Sequence, residues 1–167
     1  MMTLPKLVER QAQPYVAMRR MVKIPFGDTI DATMPKLWRW IGEHHVEPVG
    51  PPFFKYNVID MANGIEMEFG APTAEVLAAD DDVVTGTLPA GQYATITYHG
   101  HYDQLVDVTA VLIGWVAERG LKFDVQPTPN GDRFAGRIEI YPNDPREVTN
   151  PDDWETILAF KLAEERL

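Results

Sequence analysis

Two segments of the chain carry apolar residues at the spacing of a helix face. In the first, Met34, Leu37, Trp38 and Ile41 recur every three or four positions, so they fall on one stripe of a 3.6-residue helix. Asp28 or Asp31 is the residue expected to cap its start. In the second, Leu105, Val108, Leu112 and Val116 form the stripe and Asp103 is the expected cap. Short runs rich in β-branched and aromatic residues flank each helix and read as strands: 15–23 before the first helix with 54–60 and 64–71 after it, then 92–99 before the second with 136–141 and 154–162 after it.

Each half therefore reads strand, helix, strand, strand, over about 13–72 and about 88–163. The halves also echo each other residue by residue: Tyr15 with Tyr93, Leu37 with Leu112, Trp40 with Trp115, Glu43 with Glu118, Tyr56 with Tyr141 and Phe69 with Phe160. The separation grows across the loop-like segments 125–133 and 143–153, where insertions cost least. One such unit cannot bury both faces of its own short sheet, so two copies related by a pseudo-twofold are expected to combine. The predicted fold class is α+β: one curved antiparallel sheet with two helices on one side, in a single domain over residues 1–167. Residues 1–8 read as a loose end.

On a helical wheel Trp40 lies about 60° to one side of the Leu37 and Ile41 stripe, and Trp115 lies on the same flank of its own helix. The pair could form opposite walls of one groove between the halves, or each could anchor the core under its helix. The pattern leaves both open.

Composition narrows the picture. With 45% hydrophobic and 24% charged residues, the chain can bury a core and does not read as disordered. A formal net charge of −10 works against a grip on phosphate backbones, so direct nucleic-acid binding is not expected. There is no cysteine, which excludes disulfides, thiol nucleophiles and thiolate metal sites. No run of about 18 apolar residues occurs, so no membrane span is expected and a cytoplasmic location is the default.

The run Leu88-Pro89-Ala90-Gly91-Gln92-Tyr93-Ala94-Thr95-Ile96-Thr97-Tyr98-His99-Gly100-His101-Tyr102-Asp103-Gln104-Leu105 resembles the second half of GyrI-like small-molecule-binding domains, also called bacterial transcription-activator effector-binding domains. Shared features are the Pro-Ala-Gly-x-Tyr start, the His-Gly-Pro-Tyr-like turn and a Leu-x-x-Trp helix. His101 stands where proline is usual. The resemblance extends over roughly 13–162. It implies one of several roles: a drug-sensing domain of AraC-type or MerR-type regulators, a stand-alone binder, a modulator of gyrase, or a hydrolase of cyclopropane-bearing genotoxins. Too few residues precede Tyr15 for a helix-turn-helix or winged helix, so a stand-alone member is expected.

In Arg137-Ile138-Glu139-Ile140-Tyr141 the alternation puts Ile138 and Ile140 on one sheet face and Arg137, Glu139 and Tyr141 on the other. The resemblance implies that a ligand-contacting glutamate lies two residues before a tyrosine on this strand, a spacing that Glu139 and Tyr141 fit. Such a carboxylate could pair with a cationic ligand or activate a water as general base. Glu66 and Glu68 alternate similarly and are expected on a solvated face. His99 and His101 with Asp103 have a spacing that could hold a metal, but no other ligand cluster supports one, and His101 and Tyr102 are expected at the groove rim. His44 and His45 suit a helix C-terminus. On the last strand, where relatives carry an acidic residue and a tyrosine, Thr156 and Leu158 are expected, with Glu155 brought in by a one-residue shift of register.

The expected ligand-binding set is Trp40, Trp115, Glu139, Tyr141, Tyr102 and His101, with no metal and no cofactor. The expected function is binding of flat, hydrophobic and, where charged, cationic small molecules, as a monomer or a homodimer. One alternative is the hydrolase, with Glu139 as its catalytic residue. A second is a protein-interaction role such as gyrase modulation, for which the acidic run 79–82 is the candidate surface.

Overall fold

Residues 1–80 and 82–164 are described in the computed structural model. The elements in chain order are β1 (Lys6–Arg10), β2 (Gln13–Val22), α1 (Gly27–Glu43), β3 (Phe53–Asp60), β4 (Gly64–Pro72), β5 (Val83–Leu88), β6 (Gly91–His99), α2 (Leu105–Glu118), β7 (Val125–Thr128), β8 (Gly131–Phe134), β9 (Arg137–Ile140) and β10 (Glu155–Lys161). Both predicted helices and all six predicted strands form. The hydrophobic stripes do what their period requires, since Leu37 and Leu112 are each 0% exposed beneath their helices.

The sheet is antiparallel in the order β1-β6-β10-β9-β3-β4-β2-β5. The units β2-α1-β3-β4 and β6-α2-β9-β10 occupy mirrored places about the β3–β9 junction, as the repeat requires. Two short links force the sheet to curl. β1 pairs with β6 at one end while β2 pairs with β5 at the other, and only residues 11 and 12 join β1 to β2. Three Cα steps reach about 11 Å, whereas six strand spacings laid flat would be about 29 Å. The link between β5 and β6 acts in the same way. Accordingly Tyr15 and Leu88 from one end of the sheet share a core cluster with Tyr93 from the other, together with Phe53, Ile138 and Ala159. This cluster fills the inside of the curl.

The outside carries both helices. α1 covers Val16, Met18 and Ala71 and borders Phe54, Tyr56, Met67 and Phe69 through Phe26, Ile30 and Met34. α2 covers Ala94, Ile96, Leu158 and Phe160. No helix among the described residues is long and apolar enough to cross a membrane.

Several local expectations are corrected. α1 begins at Gly27 after Phe26, with no side-chain cap, so Asp28 lies inside the first turn and Asp31 further along; an aspartate there still complements the helix dipole. Asp103 does not cap α2. It sits in a 3-10 turn, Tyr102–Gln104, whose cap is His101, with the Asp103 backbone N–H donating to His101 Nδ1 at 3.1 Å. The loose end is partly a strand, because β1 supplies the edge hydrogen bonds that β6 would otherwise lack. The segment 125–133 holds the hairpin β7–β8, which pairs onto β3.

Glu68 is the clearest departure. Instead of facing solvent it is 3% exposed, because the curl closes over a face that would be open in a flat sheet. Tyr15 Oη donates to its Oε1 at 2.9 Å and Asn57 Nδ2 donates to its Oε2, while Lys55 Nζ donates to Asn57 Oδ1 at 2.5 Å. Its neighbour Glu66 is half-buried.

Candidate functional site

The face question left open by the alternation is settled by Ile138, which packs inside the curl. Arg137, Glu139 and Tyr141 therefore stand on the helix-bearing face, at the junction of the two halves. Glu139 lies opposite Phe54 on β3 and Leu158 on β10 and is 8% exposed. Tyr56 Oη donates to Glu139 Oε1 at 2.9 Å and Tyr141 Oη donates to Oε2 at 2.5 Å. These are equivalent residues of the repeat, so one carboxylate is held between two symmetry-related hydroxyls.

Charge and burial oppose each other here. Burial holds the Glu139 carboxyl above the usual carboxylate range, while the two tyrosine hydrogen bonds and the Arg137 charge pull it back. Burial and the neighbouring carboxylate hold Tyr56 and Tyr141 well above the ordinary phenol range, so both remain donors. On the same face, the Arg137 guanidinium lies 4.6 Å from the centre of the Phe160 ring, 5.0 Å from Phe134 and 5.4 Å from Tyr56.

A row of rings leads from this carboxylate to the surface. Tyr141 contacts Phe54 at 4.6 Å and Tyr102 edge-on at 5.8 Å. Tyr102 stacks on Trp154 at 4.7 Å, and His101 meets Trp154 at 5.3 Å. Trp154 is pinned by its Nε1–H, which donates to Val148 O at 2.7 Å. The turn that presents Tyr102 explains its sequence. Gly100 has φ +155°, and a Cβ there would collide with the Tyr98 hydroxyl, so glycine is required. His101 has φ −66°, the angle a proline ring fixes, so histidine keeps the backbone angle that a proline would impose there and adds the acceptor that receives the Asp103 N–H.

The structure thus brings Glu139, Tyr141, Tyr102 and His101 together. It does not bring the two helix tryptophans to them. Trp40 is 7% exposed among Val16, Met18, Leu37, Ala71 and Val83 and stacks on His44 at 4.1 Å, away from β9. Trp115 packs against the α2 cluster with the Arg119 guanidinium 3.9 Å above its ring. Equivalent flanks of twofold-related helices can face each other or turn apart, and the Trp40 flank turns toward β2 and β5. Core anchoring explains that half of the echo.

Other expected residues fall into place. His44 is the C-cap of α1, with Nδ1 2.9 Å from Trp40 O. His99 lies 3.7 Å from Glu155 and His101 lies 3.2 Å from Asp103, as two separate pairs. Thr156 pairs with Tyr98 and Leu158 with Ile96; Leu158 shares the face of Glu139, and with it Thr156, so the register of the last strand is the apolar one. In the acidic run, Asp80 pairs with His44 at 2.9 Å and Asp82 with Arg20 at 2.6 Å; Asp81 lies outside the described residues. Surface hollows of about 340 Å³ beside Met21, Asn63 and Glu66 and about 330 Å³ beside Met2, Tyr98 and Val111 include none of the Glu139 group.

Sequence reasoning missed Tyr56, Phe54, Trp154 and Arg137 as site residues. Three of them had a signal. The offset of 85 that relates Tyr56 to Tyr141 also relates Phe54 to Glu139, and Arg137 shares the alternation of Glu139. Trp154 had none, because its contact with Tyr102 joins the segment before β10 to the turn before α2.

No curated protein matches the sequence. Among solved structures, the chain is similar to the C-terminal domain of EcmrR, with a TM-score of 0.74 and 17% identity, covering 97% of this chain and 98% of that one. Against EcmrR in a complex with DNA the TM-score is 0.75 at 16% identity, covering 97% of this chain, which spans 58% of that longer one. A hydrolase from Listeria innocua gives 0.62 at 13% identity, covering 95% and 91%. SAV2435, solved bound to tetraphenylphosphonium, gives 0.58 at 8% identity, covering 96% and 94%. At these identities the likeness is one of fold. The family model of the GyrI-like small molecule binding domain matches residues 4–163, and the chain belongs to that family.

Proposed function

We propose that this chain binds flat aromatic molecules bearing a basic or cationic group at the junction between its halves. The observation that carries this reading is Glu139, buried on the helix-bearing face between Tyr56 and Tyr141. The two donors orient the carboxylate and keep part of its charge when water is excluded, so a cation entering the site meets a pre-set partner. The row Tyr141, Tyr102 and Trp154 offers ring faces and edges against which the flat body of the ligand packs. A relative of the same fold was solved with a lipophilic cation, tetraphenylphosphonium. The formal net charge of −10 assists the approach of such ligands at low ionic strength.

Tetraphenylphosphonium and a panel of planar cationic dyes, titrated against the intrinsic tryptophan fluorescence of the protein, test this reading. Quenching that saturates in the native protein and is largely lost in Trp154→Phe, but kept in Trp40→Phe, is the expected result. Absence of saturable quenching by every compound would sink it. Following the mass of each compound in the same samples detects hydrolysis, which would make Glu139 a general base instead of a binding partner.

A further inference from the structure

Arg137 is a guanidinium without its usual partners. Its Nε is buried and has no hydrogen-bond partner among the described residues, and it joins no ion pair there. Glu139, two residues along the same face, acts on it only at longer range: no hydrogen bond or ion pair joins the two, and the carboxylate accepts from the tyrosine hydroxyls instead. What surrounds Arg137 instead is the rings of Phe160, Phe134 and Tyr56. Ring faces offset part of the cost of burying the charge, but they leave the in-plane N–H donors, of which a guanidinium has five, without acceptors. The residue is half-buried, and of its guanidinium nitrogens only Nε is among the buried atoms without a partner, so the terminal nitrogens are the ones within reach of a ligand. Guanidinium donors left in this state suit a planar oxyanion, which they grip through paired hydrogen bonds.

We propose that Arg137 is a second recognition point of the same site, and that the ligand is a flat aromatic molecule carrying a carboxylate together with a basic nitrogen. The inference rests on the proposed binding role. Arg137 and Glu139 are successive residues on one face of β9, about 6.6 Å apart along the strand, with the Tyr56 ring 5.4 Å from the guanidinium and the Tyr56 hydroxyl donating to the carboxylate. A molecule spanning them sets its carboxylate over Arg137 and its nitrogen over Glu139. A cation without an acid group satisfies only one of the two and is repelled by the other.

The test compares a xanthene dye bearing a free carboxylate with its ethyl ester, which has the same cationic ring system and no acid. Tryptophan quenching is measured for the native protein, Arg137→Gln and Arg137→Lys. The native protein is expected to prefer the acid by roughly tenfold, the worth of a charge-assisted contact. Arg137→Gln removes that preference, Arg137→Lys keeps part of it, and ester binding stays the same or improves. Equal binding of acid and ester by the native protein overturns the proposal while leaving the binding role intact, and it needs no variant to fold. An acid preference that survives Arg137→Gln also overturns it. Saturable binding of neither dye, nor of tetraphenylphosphonium, removes the binding role itself.

Discussion

Glu139 on β9 stands directly opposite Phe54 on β3, and these two residues hold equivalent places in the two halves. At the point where the repeat meets itself, one copy carries a charge and the other a ring. A strict repeat would set two carboxylates side by side at cross-strand distance, where like charges repel. The phenylalanine avoids this and supplies the apolar wall, through its contacts with Phe69 at 4.8 Å and Tyr141 at 4.6 Å. Phe54→Glu, which restores the symmetry, is therefore expected to cost about 3 kcal/mol or more in urea denaturation, from the lost ring and the paired charges.

The tyrosines that hold Glu139 act on its ionised form. Tyr56→Phe and Tyr141→Phe each remove one hydrogen bond to the carboxylate and should each lower stability by about 1.5 to 3 kcal/mol near neutral pH. Their removal also takes away an influence that lowers the Glu139 pKa, so the pH at which cation binding is half lost should move upward in both variants. Binding titrations across a pH series check this.

Glu139 has a folded pKa above its ordinary value because burial outweighs its partners. The folded protein thus holds this proton more tightly than the unfolded chain does. The resulting penalty is absent below the unfolded pKa, grows as pH rises toward the folded one, and is complete above it. Glu139→Gln has no such penalty. Thermal melts should show the stability of the variant relative to the native protein increasing from acid to neutral pH, and a difference that falls over that range would contradict the assignment.

On the inside of the curl, Lys55, Asn57, Glu68 and Tyr15 form one buried chain of hydrogen bonds. Burial lowers the Lys55 pKa, with Glu68 acting in the opposite direction. Lys55→Met alone leaves Glu68 without its countercharge and should cost about 3 to 5 kcal/mol. The double variant with Glu68→Leu should cost clearly less than the two single changes added together, which a double-mutant cycle in urea measures.

The fold was legible because its determinants are periodic and duplicated. The Leu37 and Leu112 stripes placed the helices, and the residue echo placed six strands. What lay outside the repeat was missed: β1 pairs with β6 and β5 with β2 at the two ends of the sheet, and the curl that brings those ends together is a long-range property that no local pattern encodes, from which the burial of Glu68 follows. In the site, alternation gave Glu139 and Tyr141 a shared face, but only the packing of Ile138 decided which face. Trp40 shows the limit of symmetry reasoning. The sequence puts Trp40 and Trp115 on equivalent flanks, but the direction in which each flank turns is a tertiary property. Trp154 reaches Tyr102 from a segment with no periodic signal, so it could be found only in three dimensions.

The central claim is that Glu139 is the charged partner of a bound cation, and isothermal titration of Glu139→Gln measures it most directly. The substitution keeps the shape of the side chain and removes its charge. Binding of a planar cationic dye that carries N–H groups is expected to weaken by about 1 to 3 kcal/mol, and binding of a neutral planar aromatic of similar size to stay within error of the native value. Equal affinities of the native protein and the variant for the cation, at a pH above the Glu139 titration, would contradict the account.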